Sequence, residues 1–242
     1  MPPGLNLYIM KTKNSERPIT ADSKAFRDHY KVIAPLIMGS GVGDGKTTAC
    51  VMAQAATIDA LRKGKTLDRA TDEMECACPV LRRLAIRLND TDWWKDNAER
   101  TEVLRPLIPL LLDSRGTGAL TMKRIFMSAD HSVRVLTLMR LEWISKHSKS
   151  AEVKKANKAG IKKLKELPEI VDKASALSAR EICSELQKYA DAYAYASASA
   201  YADASAYASE IKSQKLKYRT ALLELFCKLA ALSGAQTNKQ KE

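Results

Sequence analysis

The sequence predicts an all-α protein, and three observations carry that prediction. Apolar residues recur near the 3.6-residue helical period in one segment after another. The hydrophobic fraction is 45% but the aromatic fraction only 6%, with alanine supplying much of the apolar count, a composition suited to helix packing on helix. From Glu169 to Ser233 there is neither glycine nor proline, so strands of ordinary length in that stretch have no residues to make hairpins with.

Residues 1–19, with Pro2, Pro3, Gly4 and Pro18, read as a loose N-terminal arm. A helical domain is expected over 20–147. Its first helix follows Thr20-Ala-Asp22, and the short apolar run Val32 to Met38, interrupted by Pro35, leads into the one glycine-rich loop, Gly39-Ser-Gly41-Val-Gly43-Asp-Gly45. The next helix is expected to open near Thr47, carry Cys50, Val51, Ala55, Ile58 and Leu61 on one face, and stop at Gly64. Pro79 suits a first helical position, and Val80, Leu84, Ile86 and Leu88 carry that helix to Asn89-Asp90. Thr91 or Asp92 is the expected cap of the helix after it. Trp93 to Leu112 is apolar at helical spacing but should kink or split at Pro106 and Pro109. After a loop at Asp113 to Gly118, Leu120 to Ser145 is the cleanest amphipathic helix of this half, with Leu120, Ile125, Met127, Val133, Leu136, Met139 and Trp143 as its apolar stripe.

Residues 148–168 read as a lysine-rich helical connection, lined on one side by Val153, Ala156, Ile161, Leu164 and Leu167 and ended by Pro168. Residues 169–234 read as a long alanine-rich helix, with Ser178-Ala-Arg-Glu181 as a capping box and Gly234 as the C-terminal cap. Over 178–233 such a helix is roughly 80 Å long. Within it, every even position from Ala190 to Ala208 is alanine and the odd positions hold only tyrosine, serine or aspartate. Period two on a 3.6-residue helix spreads these side chains all round the cylinder, which admits three readings: a close-packing surface for neighbouring helices, a solvent-bridging rod, or an expanded repeat that alanine keeps helical. Residues 235–242 read as a disordered tail.

Five cysteines at irregular spacing and no apolar N-terminal run point to a reduced, cytoplasmic protein. The longest apolar stretches fall short of the roughly 18 to 20 residues a membrane span needs. The net charge of +12 favours polyanionic partners, and the excess is local: residues 51–100 hold nine bases and nine acids, whereas Lys146 to Lys165 holds eight lysines and one acid, Glu152. Lys154, Lys158, Lys162 and Lys165 fall on one helical face with Lys155 and Lys163 beside it, a stripe able to track a phosphate backbone or simply to be a solvated face.

Two motifs suggest chemistry. Gly43, Gly45, Lys46 and Thr47 resemble a phosphate-binding loop, in which backbone N–H groups and a lysine at a helix start hold the anion. The spelling departs from that pattern at Ser40, and the later strands and the magnesium-binding aspartate of such folds are missing. Cys76-Ala-Cys78 follows Asp72, Glu73 and Glu75, but structural zinc usually takes paired cysteine knuckles or added histidines, and His29, His131 and His147 have no ligand spacing. No metal or cofactor is therefore expected.

The order Thr71-Asp72, Glu75-Cys-Ala-Cys-Pro-Val80, Leu88-Asn-Asp90, Pro106-Leu-Ile-Pro109, Ser114-Arg-Gly-Thr117, Ala129-Asp130 and Val133-Arg-Val135, followed by an alanine-rich helix, resembles a family of uncharacterised helical proteins of actinobacteria and their phages. The likeness runs from about Gly43 onward and implies a helical fold. A narrower resemblance, confined to Ser128 to Leu136 and the alanine repeat, is to helical immunity-like proteins of bacterial toxin systems. The family-like motifs mark a candidate polar site among Cys50, Cys76, Cys78, Asn89, Asp90, Arg115, Asp130 and Arg134. The function expected is that of a non-catalytic binding protein of phage or mobile-element type, acting by occupying a protein or polyanionic partner, with nonspecific nucleic acid among them. Two alternatives stand beside it: a nucleotide-binding protein or enzyme using the Gly43–Thr47 loop, and an assembly component that self-associates through the long helix.

Overall fold

The computed structural model describes residues 24–65, 71–184 and 208–232. The fold is all-α: among these residues there is no strand, only an isolated parallel bridge between Ile37 and Thr48. The chain divides into two compact units, Met1–Thr121 with Leu222–Glu242, and Met122–Ala221. The sequence expectation put that boundary near residue 147 instead.

In the first unit, α1 (Lys24–Ile33) is followed by the glycine loop and then α2 (Val51–Arg62). Helix α2 is the hub of the unit. Nine of its residues, Val51 to Ala56 and Ile58 to Ala60, are buried, because it packs against α1, α3 (Pro79–Asp90) and the short α5 (Ile108–Leu111). Its alanines let these neighbours approach on several sides. It ends as expected at Gly64, whose φ of +68° is left-handed and lets the Lys65 and Gly64 amides reach back to the carbonyls of Ala60 and Leu61. Pro79 occupies the first turn of α3, and Leu81, Leu84, Ala85 and Leu88 form its buried stripe.

Two expected boundaries move in this unit. Helix α2 opens at Val51, not near Thr47, because Asp44 and the Ile37–Thr48 bridge engage the intervening backbone. Helix α4 (Asn97–Leu104) is capped by Asp96, not by Thr91 or Asp92. The Asp96 carboxylate accepts the Glu99 amide at 2.8 Å and Glu99 accepts the Lys95 amide at 2.7 Å, a reciprocal cap, while the Thr91 hydroxyl is spent on the Leu88 carbonyl. Beyond α4 the prolines split the helix as expected, giving a 3-10 turn (Arg105–Leu107) and then α5. The last turns of α10 (Ala208–Ala231) also belong to this unit, burying Leu222, Leu223, Leu225, Phe226 and Leu229.

The second unit is built on one helical run. Helix α6 (Gly118–Asp130), of which the part from Met122 belongs to this unit, passes through a π segment (His131–Thr137) into α7 (Leu138–His147), and the short link Ser148-Lys149-Ser150 leads to α8 (Ala151–Glu166), which packs back on α7. The π segment widens the helix by one residue per turn. Beyond it the buried stripe departs from the expected one: Leu141 and Ile144 are buried, whereas Met139 and Trp143 are only half-buried. The next helix, α9, begins at residue 173, five residues before the expected Ser178 cap. Asp172 caps it, accepting the Ser175 amide at 2.8 Å while the Ser175 hydroxyl accepts the Asp172 amide at 3.1 Å. Leu167, Ile170 and Ala179 form a small core with Phe126, Ala129, Val133, Ala176 and Ile182 around it. The alternating run before Ala208 and the expected cap Gly234 lie outside the described residues.

Candidate functional site

The residues singled out by sequence fall into four places. The first is the glycine loop. The bridge between Ile37 and Thr48 ties it off at its base, through Ile37 N–H to Thr47 O at 3.0 Å and Ala49 N–H to Ile37 O at 3.1 Å. Inside it, one carboxylate oxygen of Asp44 accepts the amides of Lys46, Thr47 and Thr48 at 2.9, 2.9 and 2.8 Å, and the Thr47 hydroxyl donates to the other at 2.6 Å. The Thr47 hydroxyl and then these amides hold the Asp44 carboxyl far below the usual carboxylate range. The amides that a bound phosphate would need thus already serve an anion from the loop itself. Lys46 and Thr47 also do not open the following helix, whose cap is Cys50. Gly43 has no substitute here, since at φ +88° an added Cβ would lie 2.4 Å from the Thr48 carbonyl oxygen.

Asn89 and Asp90 clamp the same loop from the end of α3. Asn89 donates to Gly39 O at 2.8 Å and accepts the Val51 amide at the start of α2, and Asp90 accepts the Gly41 amide at 2.9 Å. The Cys50 sulfur accepts the Ala53 amide at 3.3 Å, and burial pushes its thiol pKa up. Cys50, Asn89 and Asp90 therefore meet at the N-terminal end of α2, as parts of a loop anchor.

Cys76, Cys78 and Arg115 meet at the other end, about 14 Å of helix rise away from Cys50. The Cys76 thiol donates to Asp59 at 3.3 Å, the Arg115 amide donates to Cys76 O at 2.9 Å, and the Arg115 guanidinium reaches Glu75 O at 3.0 Å. The Cys78 amide donates to the Ser114 hydroxyl at 2.8 Å. Residues not singled out by sequence hold this junction together. Asp59 takes Arg62 and Lys63, both at 2.6 Å, and Arg62 also forks onto Asp113. Burial raises the Asp59 carboxyl, but Lys63, Arg62 and Cys76 outweigh it and leave it below its ordinary value. Burial raises the Cys76 thiol, which keeps it protonated and a poor nucleophile at neutral pH. Asp59, Arg62 and Lys63 were readable as i,i+3 and i,i+4 partners on a helix; Asp113, at φ +56° in a turn, comes to Arg62 only through the fold.

Asp130 and Arg134 belong to the second unit. They pair at 2.7 Å across one helical turn, and Asp130 also accepts the Ile170 amide at 3.0 Å. That pair fastens the chain entering α9. The eight candidate residues thus form three structural clusters and not one site. Among the described residues, no group of three or more histidine, cysteine, aspartate or glutamate side chains is placed to hold a metal ion, and no helix is long and apolar enough to cross a membrane.

The fourth place is α8. Its inward side buries Asn157, Gly160 and Leu164, and Leu167 just beyond it is also buried. At 100° per residue, Lys154, Lys165, Lys158, Lys162 and Lys155 occupy an arc of about 100° on the opposite side. Lys155, Lys158, Lys162, Lys163 and Lys165 are exposed and Lys154 half-buried; Lys163 lies off the arc. Lys165 meets Glu142 of α7 at 3.4 Å and Lys162 meets Glu166 at 4.0 Å, both exposed pairs. Ser150 caps the helix by accepting the Val153 amide at 3.3 Å.

No protein-family model, curated protein or solved structure matches this chain.

Proposed function

We propose that the protein is a non-catalytic binding protein that holds a polyanionic partner against the lysine face of α8. One observation carries this reading: five lysines share the arc of α8 that lies opposite its buried side. Packing of α8 against α7 fixes the backbone beneath them, so less ordering is left to do when a partner arrives. The glycine loop and the cysteines support the non-catalytic half of the proposal. Asp44 fills the loop's amides, and burial keeps Cys50 and Cys76 as thiols.

Retention on immobilised heparin tests the proposal. The wild-type protein should bind at low ionic strength, and Lys155→Gln with Lys158→Gln should elute at clearly lower salt. Equal elution of the two proteins would remove α8 from the account.

A further inference from the structure

We infer that the polyanion is the phosphate backbone of a nucleic acid, contacted without regard to sequence; this rests on the reading of α8 as a polyanion-binding face. The lysines are arranged as a line and not as a pocket. Counting from Lys154, Lys158, Lys162 and Lys165 stand at rises of about 6, 12 and 16.5 Å. A compact anion such as a nucleotide needs cations that converge on one point, whereas this row suits a ligand that repeats its charge along a length. A duplex carries about one phosphate per 1.7 Å of axis, so a stretch as long as this row offers roughly ten, and each of the five lysines has one within reach.

The chemistry of the face argues against base reading. All its cations are lysines, which are point charges, and α8 has none of the arginines that read a guanine edge with two parallel hydrogen bonds. From Ala151 to Glu166 there is also no aromatic residue on which a base could stack. Asn157, the one amide side chain of the helix, is buried on the opposite side. The two acids of α8, Glu152 and Glu166, fall at about 160° and 120° from Lys154 around the helix, both beyond the Lys155 edge of the lysine arc and outside it. Glu142 and Glu166 meet Lys165 and Lys162 only in exposed pairs, which are weak enough to yield to a phosphate.

The test is fluorescence anisotropy of the full chain with labelled oligonucleotides of about 20 nucleotides, single-stranded and duplex, in two unrelated sequences each, at rising sodium chloride. Five phosphate contacts predict a slope of log K against log salt of about −3.5 for single strands and about −4.5 for duplexes. The two sequences should agree within about threefold, since phosphate contacts carry no base information. Lys154→Gln, Lys155→Gln and Lys158→Gln combined, with an unchanged circular dichroism spectrum, should flatten either slope by about two to three. An unchanged slope in that variant, or a tenfold preference between sequences, overturns the inference. Lysine-dependent retention on heparin without oligonucleotide binding at low salt overturns it too, while leaving the polyanion reading intact. Loss of lysine-dependent heparin retention removes both.

Discussion

At Asp44 a single carboxylate gathers three consecutive amides and a threonine hydroxyl, and what the glycine loop can bind follows from that. An isolated reading of Gly43-Asp-Gly45-Lys-Thr47 weighs the glycines and the lysine; the aspartate between them has the stronger claim on the amides because it is covalently in place. Two consequences are measurable. Gly43→Ala must move backbone or leave the left-handed region, and should destabilise the protein by about 1 to 3 kcal/mol in a denaturant titration. Asp44, Asp59 and Asp172 have carboxyls held below their ordinary values, so the stabilisation they give is present above about pH 4 and lost as the pH falls further. Thermal scans from pH 3 to 7 should show Asp44→Asn melting below wild type at neutral pH, with the gap closing in acid. A gap that stayed constant with pH would mean the carboxylate charge contributes nothing. The thiols add a third expectation. Burial raises the pKa of Cys50, Cys76 and Cys183, and pushes Cys227 up to about 11, so labelling by a thiol reagent at pH 7.5 should be far slower in the native than in the unfolded chain.

Among the elements, those punctuated by special residues were legible in the sequence. Pro79 opens α3, Gly64 closes α2, and Pro106 and Pro109 divide the segment after α4. Starts settled by competition between hydroxyls and carboxylates were not. Thr91 and Asp96 both have capping side chains, and only the fold shows that Thr91 faces back to Leu88. The π segment at His131–Thr137 was equally hidden, because one inserted residue needs neither glycine nor proline yet rotates every apolar position after it. Its surroundings show how the widened turn is accommodated: the Tyr218 hydroxyl donates to Leu136 O at 3.3 Å and the Gln214 amide to Met139 O at 3.5 Å. In α8 the periodic reading held in part: Leu164 and Leu167 are buried as expected, but Val153, Ala156 and Ile161 are only half-buried, and Asn157 and Gly160, outside the expected side, are buried. Leu164 is 1% exposed at the centre of that buried side. Leu164→Ala should therefore cost about 2 to 5 kcal/mol in chemical denaturation, and a loss below 1 kcal/mol would show that α8 is not firmly packed.

For the whole molecule, the charge of +12 matters less than its distribution. Eight lysines and one acid from Lys146 to Lys165 concentrate positive charge on the α7–α8 hairpin of the second unit, and charge concentrated in this way draws polyanions to that face. The candidate polar site was only partly legible at this scale. Sequence order marked Cys76, Cys78 and Arg115, which the fold does bring together, but it gave no sign that Asp130 and Arg134 belong to the other compact unit. The central claim is the location of binding on α8, and lysine footprinting tests it most directly. Acetylation rates of individual lysines, read by mass spectrometry with and without heparin, should fall several-fold at Lys154, Lys155, Lys158, Lys162 and Lys165 and stay unchanged at the exposed Lys31, Lys95 and Lys123. Equal protection of both sets, or none on α8, would contradict the account.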